Sequence, residues 1–192
     1  MMFNTILLRE FNQKAAAPKN KPKEILDSLG LQNGMTVADI GSGGGYFTLE
    51  FAKRVGTDGL VYAIDTNAKN LKFVKNKASN EGLTNIVPKL TGANGLDLAA
   101  NSVDLFFLRN VFHHLTNPQE YCAQLKPILK SGGTIAIIDY KQPPARKSLS
   151  FIGVLKHFAT AEMIRTTMAT AGYRVKQNHD FLPEQSFTMF SL

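Results

Sequence analysis

The chain has 192 residues, of which 44% are hydrophobic and 19% charged, the size and balance of one globular domain rather than of a disordered or fibrous chain. Its longest apolar runs, such as Thr134 to Ile138 and Val103 to Leu108, fall far short of the roughly 20 residues that cross a bilayer, so no membrane partner is expected. The single cysteine, Cys122, excludes an internal disulfide and a thiolate metal cluster and suits a reducing compartment, which makes a cytoplasmic protein the expectation. Met1 to Leu8 is apolar but has no charged segment before it and is cut short by Arg9 and Glu10, so a secretory signal is not expected. The net charge of +7 admits a nucleic-acid partner. Lysines near the N-terminus (Lys14, Lys19, Lys21, Lys23), on a later helix (Lys69, Lys72, Lys75, Lys77) and after residue 140 are scattered, however, and read as solvated surface.

In chain order, Met2, Phe3, Ile6, Leu7, Leu8 and Phe11 form an amphipathic piece, either a lid or one more packed helix. Residues 12–22 hold Pro18 and Pro22 and read as a connector, dividing an N-terminal segment (1–22) from a folded domain (23–192). Lys23 to Leu29 has helical spacing and stops at Gly30. There follow a strand at Thr36 to Ile40, a glycine run, a helix from Tyr46 to Val55, a strand at Leu60 to Ile64 and a helix from Asn67 to Asn80. Further strands are predicted at Asn85 to Leu90, Val103 to Leu108 and Gly133 to Asp139, with a helix over Pro118 to Leu129. Strands alternating with helices over short connections imply parallel pairing with helices on both faces. Tyr140 to Lys156 reads as an excursion near the mouth of the sheet, and Thr160 to Ala171 as a helix. Tyr173 to Asn178 and Phe187 to Ser191 are strands joined by a loop too short for a crossover, so that pair is antiparallel. The fold class is α/β: a Rossmann-like, doubly wound, seven-stranded mixed sheet with the last strand reversed.

The chemistry concentrates in Val37-Ala38-Asp39-Ile40-Gly41-Ser42-Gly43-Gly44-Gly45-Tyr46, which ends a strand and opens a helix. Glycines there permit positive φ and close approach to the backbone, and the helix start presents unpaired N–H groups. A dinucleotide loop would carry a glycine where Tyr46 stands, so the G-x-G-x-G pattern argues against a pyrophosphate. Asp65 ends the second strand 20 residues after Gly45, the placement of a carboxylate that accepts from ribose hydroxyls.

These residues resemble the class I methyltransferases that use S-adenosylmethionine, and the resemblance runs from about Lys23 to the C-terminus. It implies that Asp39 organises the loop, that Gly41, Ser42 and Gly43 lie along the methionine and ribose, that Asp65 takes the ribose hydroxyls and that Thr66 lies against adenine. Asn94, followed by Gly95, matches the position that meets the adenine amino group, where the family more often has Asp. Arg109 and Asn110 fall at the carboxyl end of the fourth strand, where open α/β sheets bind ligands. The Leu125-Lys126-Pro127 to Gly132-Gly133 stretch is similar to the family's turn before strand five.

Methyl transfer is an in-line displacement that chiefly requires positioning and exclusion of water. An oxygen or carbon-acid acceptor would gain from a base, for which His113, His114, Asp139 and Tyr140 are the candidates; no metal site is expected. The expected product is S-adenosylhomocysteine and the favoured acceptor a small molecule. Alternatives are an RNA or other macromolecular acceptor, suggested by the charge, or a non-catalytic protein that binds the adenosyl cofactor. Arg109-Asn110-Val111-Phe112 stands where nucleic-acid amino-methyltransferases carry Pro-Pro-Tyr, and no Tyr-x-x-x-Lys relay supports a nicotinamide oxidoreductase.

Overall fold

The computed structural model describes residues 2–92, 96–141 and 159–192. Asn94, Gly95 and most of the predicted 140–156 excursion lie outside these residues. Helices α1 (Met2–Ala16) and α2 (Pro22–Ser28) precede β1 (Thr36–Ile40), α3 (Tyr46–Val55), β2 (Leu60–Asp65), α4 (Ala68–Asn80), β3 (Ile86–Leu90) and β4 (Val103–Arg109). Then come α5 (Pro118–Leu125), β5 (Leu129–Tyr140), α6 (Ala161–Thr170), β6 (Arg174–His179) and β7 (Gln185–Ser191). The seven strands form one sheet in the order β3-β2-β1-β4-β5-β7-β6. β1 to β5 pair in parallel, and β7 runs antiparallel to both its neighbours, so the last strand alone is reversed.

The strands at the centre are apolar on both faces because both faces are covered. Alternation along β4 sends Leu105 and Phe107 to the side of α2 and α3, with Ile25, Leu26, Phe47 and Phe51, and sends Phe106 and Leu108 to the side of α5 and α6, with Cys122, Leu125, Ile164 and Met168. On the second side Tyr173 donates its hydroxyl to the Cys122 carbonyl at 2.9 Å. Burial there pushes the Cys122 thiol up to about 12.

Three boundaries differ from the sequence reading. α1 continues to Ala16, so residues 12–16 are helix rather than connector; the helix formers Ala15 and Ala16 extend it, and a 3-10 turn at Pro18–Asn20 follows. α5 stops at Leu125, with Lys126 still helical as its cap, because Pro127 has no N–H to donate back into the helix. β5 therefore starts at Leu129, which pairs with Val103 before a register shift that Gly132, at φ 77°, accommodates. No helix among the described residues is long and apolar enough to cross a membrane.

Phe51 is fully buried between Phe47 and Phe107, with ring centroids 5.9 and 5.0 Å away. Replacing it with alanine opens a cavity between α3 and β4. Phe51→Ala is expected to lower the unfolding free energy by about 3–5 kcal/mol, read from the denaturant midpoint at unchanged slope.

Candidate active site

The site begins where β1 ends. Gly41 and Ser42 donate their N–H groups to the Ile64 carbonyl at 2.8 and 3.0 Å, tying the glycine loop to the end of β2. Gly41 has φ 73°, and a Cβ there would run into the Val111 side chain. At Gly44 a Cβ would stand 2.5 Å from the Leu8 carbonyl and the Asn12 amide oxygen. These two clearances are filled by the protein's own Val111 and α1. Asn12 closes the contact: its Nδ2 donates to the Gly44 carbonyl at 2.6 Å, and its Oδ1 accepts from the Tyr46 N–H at 3.1 Å. α1 thus forms a wall against the glycine loop.

Asp39 and Asp65 lie beneath and beside this loop. Asp39 is buried and accepts from the Thr48 hydroxyl at 2.5 Å. Desolvation raises its carboxyl to about 7, the Thr48 hydrogen bond opposes the rise and the nearby Asp65 charge adds to it. Asp65 accepts from the N–H groups of Gly43 and Asn67, both at 2.9 Å. The Asn70 amide, in the first turn of α4, reaches both Asp65 oxygens at 3.2 Å.

The other side is built by the ends of β4, β5 and β7. Arg109 lays its guanidinium over the Phe47 ring at 5.0 Å and donates to the Gln185 Oε1 at 3.2 Å. Gln185 in turn donates to the Asn110 Oδ1 at 2.5 Å, and Asn110 sits at φ 57°, which Asn tolerates better than most residues. Burial pulls the Arg109 guanidinium below its ordinary value, yet an arginine stays charged. His113 Nδ1 lies 2.8 Å from Asp139 Oδ1, and Asp139 also accepts from the N–H groups of His113 at 3.2 Å and Tyr140 at 2.8 Å. Two backbone N–H groups already donate to Asp139, and a carboxylate only accepts, so the His113 ring meets it with a proton on Nδ1. The His114 ring lies 4.0 Å from that of His113.

These groups surround one cavity of about 1070 Å³. It is lined by Asp39, Gly41, Ser42, Gly43, Asp65, Thr66, Arg109, Asn110, His113, His114 and Tyr140, which the sequence had singled out. Asp139 does not line it; 1% exposed, it lies behind the wall, in contact with His113 and Tyr140, which do. Asn12, Asn70, Phe47 and Gln185 line the cavity and were not foreseen. Asn70 had a local signal, being one helical turn past the N-cap Asn67 that follows Asp65. Gln185 had none, because only the β5–β7 pairing brings it there.

Among the described residues Ser42 Oγ, Asn70 Oδ1 and Arg109 Nε are buried with no hydrogen-bond partner, and all three belong to residues lining this cavity. Buried polar atoms without partners are rare, and their concentration here fits a polar ligand that completes them. Ser42, Gly43, Asp65 and Asn70 suit a ribose with its attached amino acid, and the volume exceeds what one ligand of ordinary size fills.

A doubly wound sheet with a glycine turn after β1 and a carboxylate at the end of β2 defines a nucleoside-cofactor-binding α/β protein. A family model described as a methyltransferase domain matches residues 31–181. The chain belongs to this methyltransferase-domain family, within the class I S-adenosylmethionine-dependent methyltransferases. It is 28% identical over 133 residues to a ubiquinone/menaquinone biosynthesis C-methyltransferase UbiE of Hydrogenovibrio crunogenus, a match covering 67% of this chain and 52% of that protein. It therefore spans about half the length of the curated relatives it matches. Among solved structures, a SAM-dependent methyltransferase from Aquifex aeolicus superposes with a TM-score of 0.82 at 27% identity, over 95% of this chain and 96% of that one. The [4+2]-cyclase SpnF, at 13% identity and a TM-score of 0.72 over 90% of this chain and 78% of that one, shares the fold alone.

The raised carboxyl of Asp39 has a consequence for stability. Its folded-state value of about 7 lies above the ordinary 3.8, so the folded form holds a proton that the unfolded chain releases. The associated stability is full below the unfolded value and is lost as pH rises through the folded one. Between about pH 5 and pH 8 the protein is expected to lose on the order of 2–4 kcal/mol from this group. Asp39→Asn, which keeps an oxygen for Thr48, removes that slope; melting curves at several pH values measure it.

Proposed function

We propose that this protein transfers the methyl group of S-adenosylmethionine to a small-molecule acceptor, releasing S-adenosylhomocysteine. The observation that carries the reading is that one cavity joins a nucleoside-type set (Ser42, Gly43, Asp65, Asn70) to a histidine whose tautomer is fixed by a buried carboxylate. Bound S-adenosylmethionine supplies a methyl carbon made electrophilic by its sulfonium. Asp65, backed by Asn70, accepts from the ribose hydroxyls, Asp39 stiffens the loop from below through Thr48, and Thr66 borders adenine. Asn94 and Gly95 are proposed to meet the adenine edge, as the resemblance implies. Arg109 and Asn110 floor the far end of the cavity. His113 Nε2 takes the acceptor's proton, and Asp139 holds the ring in the tautomer that makes this atom basic; His114 and Tyr140 complete the wall. The UbiE relatives, named as C-methyltransferases of quinone biosynthesis, support a small acceptor methylated at carbon. The basic groups on α4 remain solvated surface in this reading, and the protein acts in the cytoplasm.

Calorimetric titration with S-adenosylmethionine, S-adenosylhomocysteine and NADH tests it. Both adenosyl compounds are expected to bind and NADH is not. Asp65→Ala, which removes a charge-assisted pair of hydrogen bonds, is expected to weaken the adenosyl compounds by at least about tenfold. Binding of NADH alone, or unchanged affinity in Asp65→Ala, would overturn the assignment.

A further inference from the structure

A glycine loop at the start of a helix ordinarily suits an anion, because its N–H groups point at the ligand. Here those groups are engaged. Of the six N–H groups from Gly41 to Tyr46, five meet the protein's own oxygens: Gly41 and Ser42 the Ile64 carbonyl, Gly43 the Asp65 carboxylate, Gly45 the Ser42 carbonyl and Tyr46 the Asn12 Oδ1. The acceptors of the first four belong to the β1–α3–β2 unit itself. The fifth does not, since Asn12 belongs to α1 and stands 34 residues from Tyr46 in the chain. Chemistry fixes which way its amide points: Nδ2 must face the Gly44 carbonyl, 2.6 Å away, and Oδ1 the Tyr46 N–H, 3.1 Å away. The amide oxygen thus lies where an anion would otherwise sit against the start of α3. A Cβ at Gly44 would come 2.5 Å from that same Oδ1 and from the Leu8 carbonyl, so the bare backbone at Gly44 makes room for α1. Charge in the cavity does not compensate. Asp39, Asp65, Glu120 and Glu184 line it against Lys14 and Arg109, so its carboxyls outnumber its permanent cations.

We propose that Asn12 is a specificity-determining residue: its amide oxygen holds the anion position at the start of α3, so the loop accepts a nucleoside with no phosphate on its 5′ carbon and turns nucleotides away. The inference rests on the methyltransferase reading in placing a ribose at Asp65, whose carboxylate is bonded to the Gly43 N–H and so keeps that sugar beside the loop. Two features act together. Tyr46 stands where a dinucleotide loop would carry a glycine, and Asn12 takes the N–H of that same residue. A phosphate entering there has to displace the amide, which separates Nδ2 from the Gly44 carbonyl, and it gains one N–H in return. Rejection comes from the groups left unpaired rather than from lack of space, which is how a site discriminates against a ligand of similar shape.

The test is calorimetric titration of the full chain with adenosine, 5′-AMP and S-adenosylhomocysteine, with the Tyr46 amide resonance followed in parallel. The wild type is expected to bind adenosine at least about tenfold more tightly than 5′-AMP. Asn12→Ala frees the Tyr46 N–H, and the preference is expected to fall by at least about threefold, with a Tyr46 shift that 5′-AMP produces and adenosine does not. Asn12→Asp keeps an acceptor toward Tyr46 but adds a negative charge, and the preference is expected to widen. Equal binding of adenosine and 5′-AMP to the wild type overturns the proposal, as does a wild-type preference retained in Asn12→Ala. Should that variant not fold, an unchanged or narrowed preference in Asn12→Asp overturns it. The methyltransferase reading is read on a different ligand: no binding of S-adenosylhomocysteine to the wild type ends that reading, while the ratio of adenosine to 5′-AMP affinity still decides this one.

Discussion

β1 has β2 on one side and β4 on the other, and this neighbourhood governs the rest of the molecule. Right-handed crossovers carry the chain from β1 through α3 to β2 on one face, while the chain leaving β4 returns through α5 on the opposite face. The two connections part above the end of β1 and leave a crevice that neither fills. Every polar group of the site stands on its rim: the glycine loop and Asp65 on one bank, Arg109, Asn110 and His113 on the other. The sheet supplies the separation between the banks, and the loops supply the chemistry.

The crevice would be open to water without α1. Asn12 satisfies both a carbonyl and an N–H of the glycine loop, and Gly44 is small enough to let the helix backbone approach. The same helix brings Lys14 to Tyr140 at the other bank. One element thereby touches both halves of the cavity, and anything that shifts α1 reaches both at once. The interior is polar in an economical way: Asp139, Asp39 and Gln185 are buried and each holds another side chain in place.

The alternation of elements was legible because the central strands β1, β2 and β4 are short and apolar, and because β4 alternates its faces so regularly. The glycine loop and Asp65 were legible for a related reason: their spacing is set by a single βαβ unit, so local sequence contains it. What escaped was everything decided by chain separation. Asn12 reads as loop until the Gly44 backbone is seen to accept from it, 32 residues away. Gln185 is an ordinary strand residue until its partner strand places it beside Arg109, 76 residues distant. Asp139 read as a possible base because a carboxylate at a strand end usually faces the crevice; three converging N–H donors turn it inward instead. The early end of α5 was written in Pro127, but the apolar Ile128 and Leu129 continued the helical pattern past it and concealed the change.

The chain's single cysteine, on α5, is buried in the core, and burial pushes its thiol up to about 12. Thiol reagents act on the thiolate, so this buried thiol is expected to react slowly with maleimides and mild oxidants. A cysteine introduced at an exposed position of α1 would then be the one reactive sulfur in the molecule. A fluorophore attached there, with no background substitution needed, would report whether α1 moves against the crevice at all.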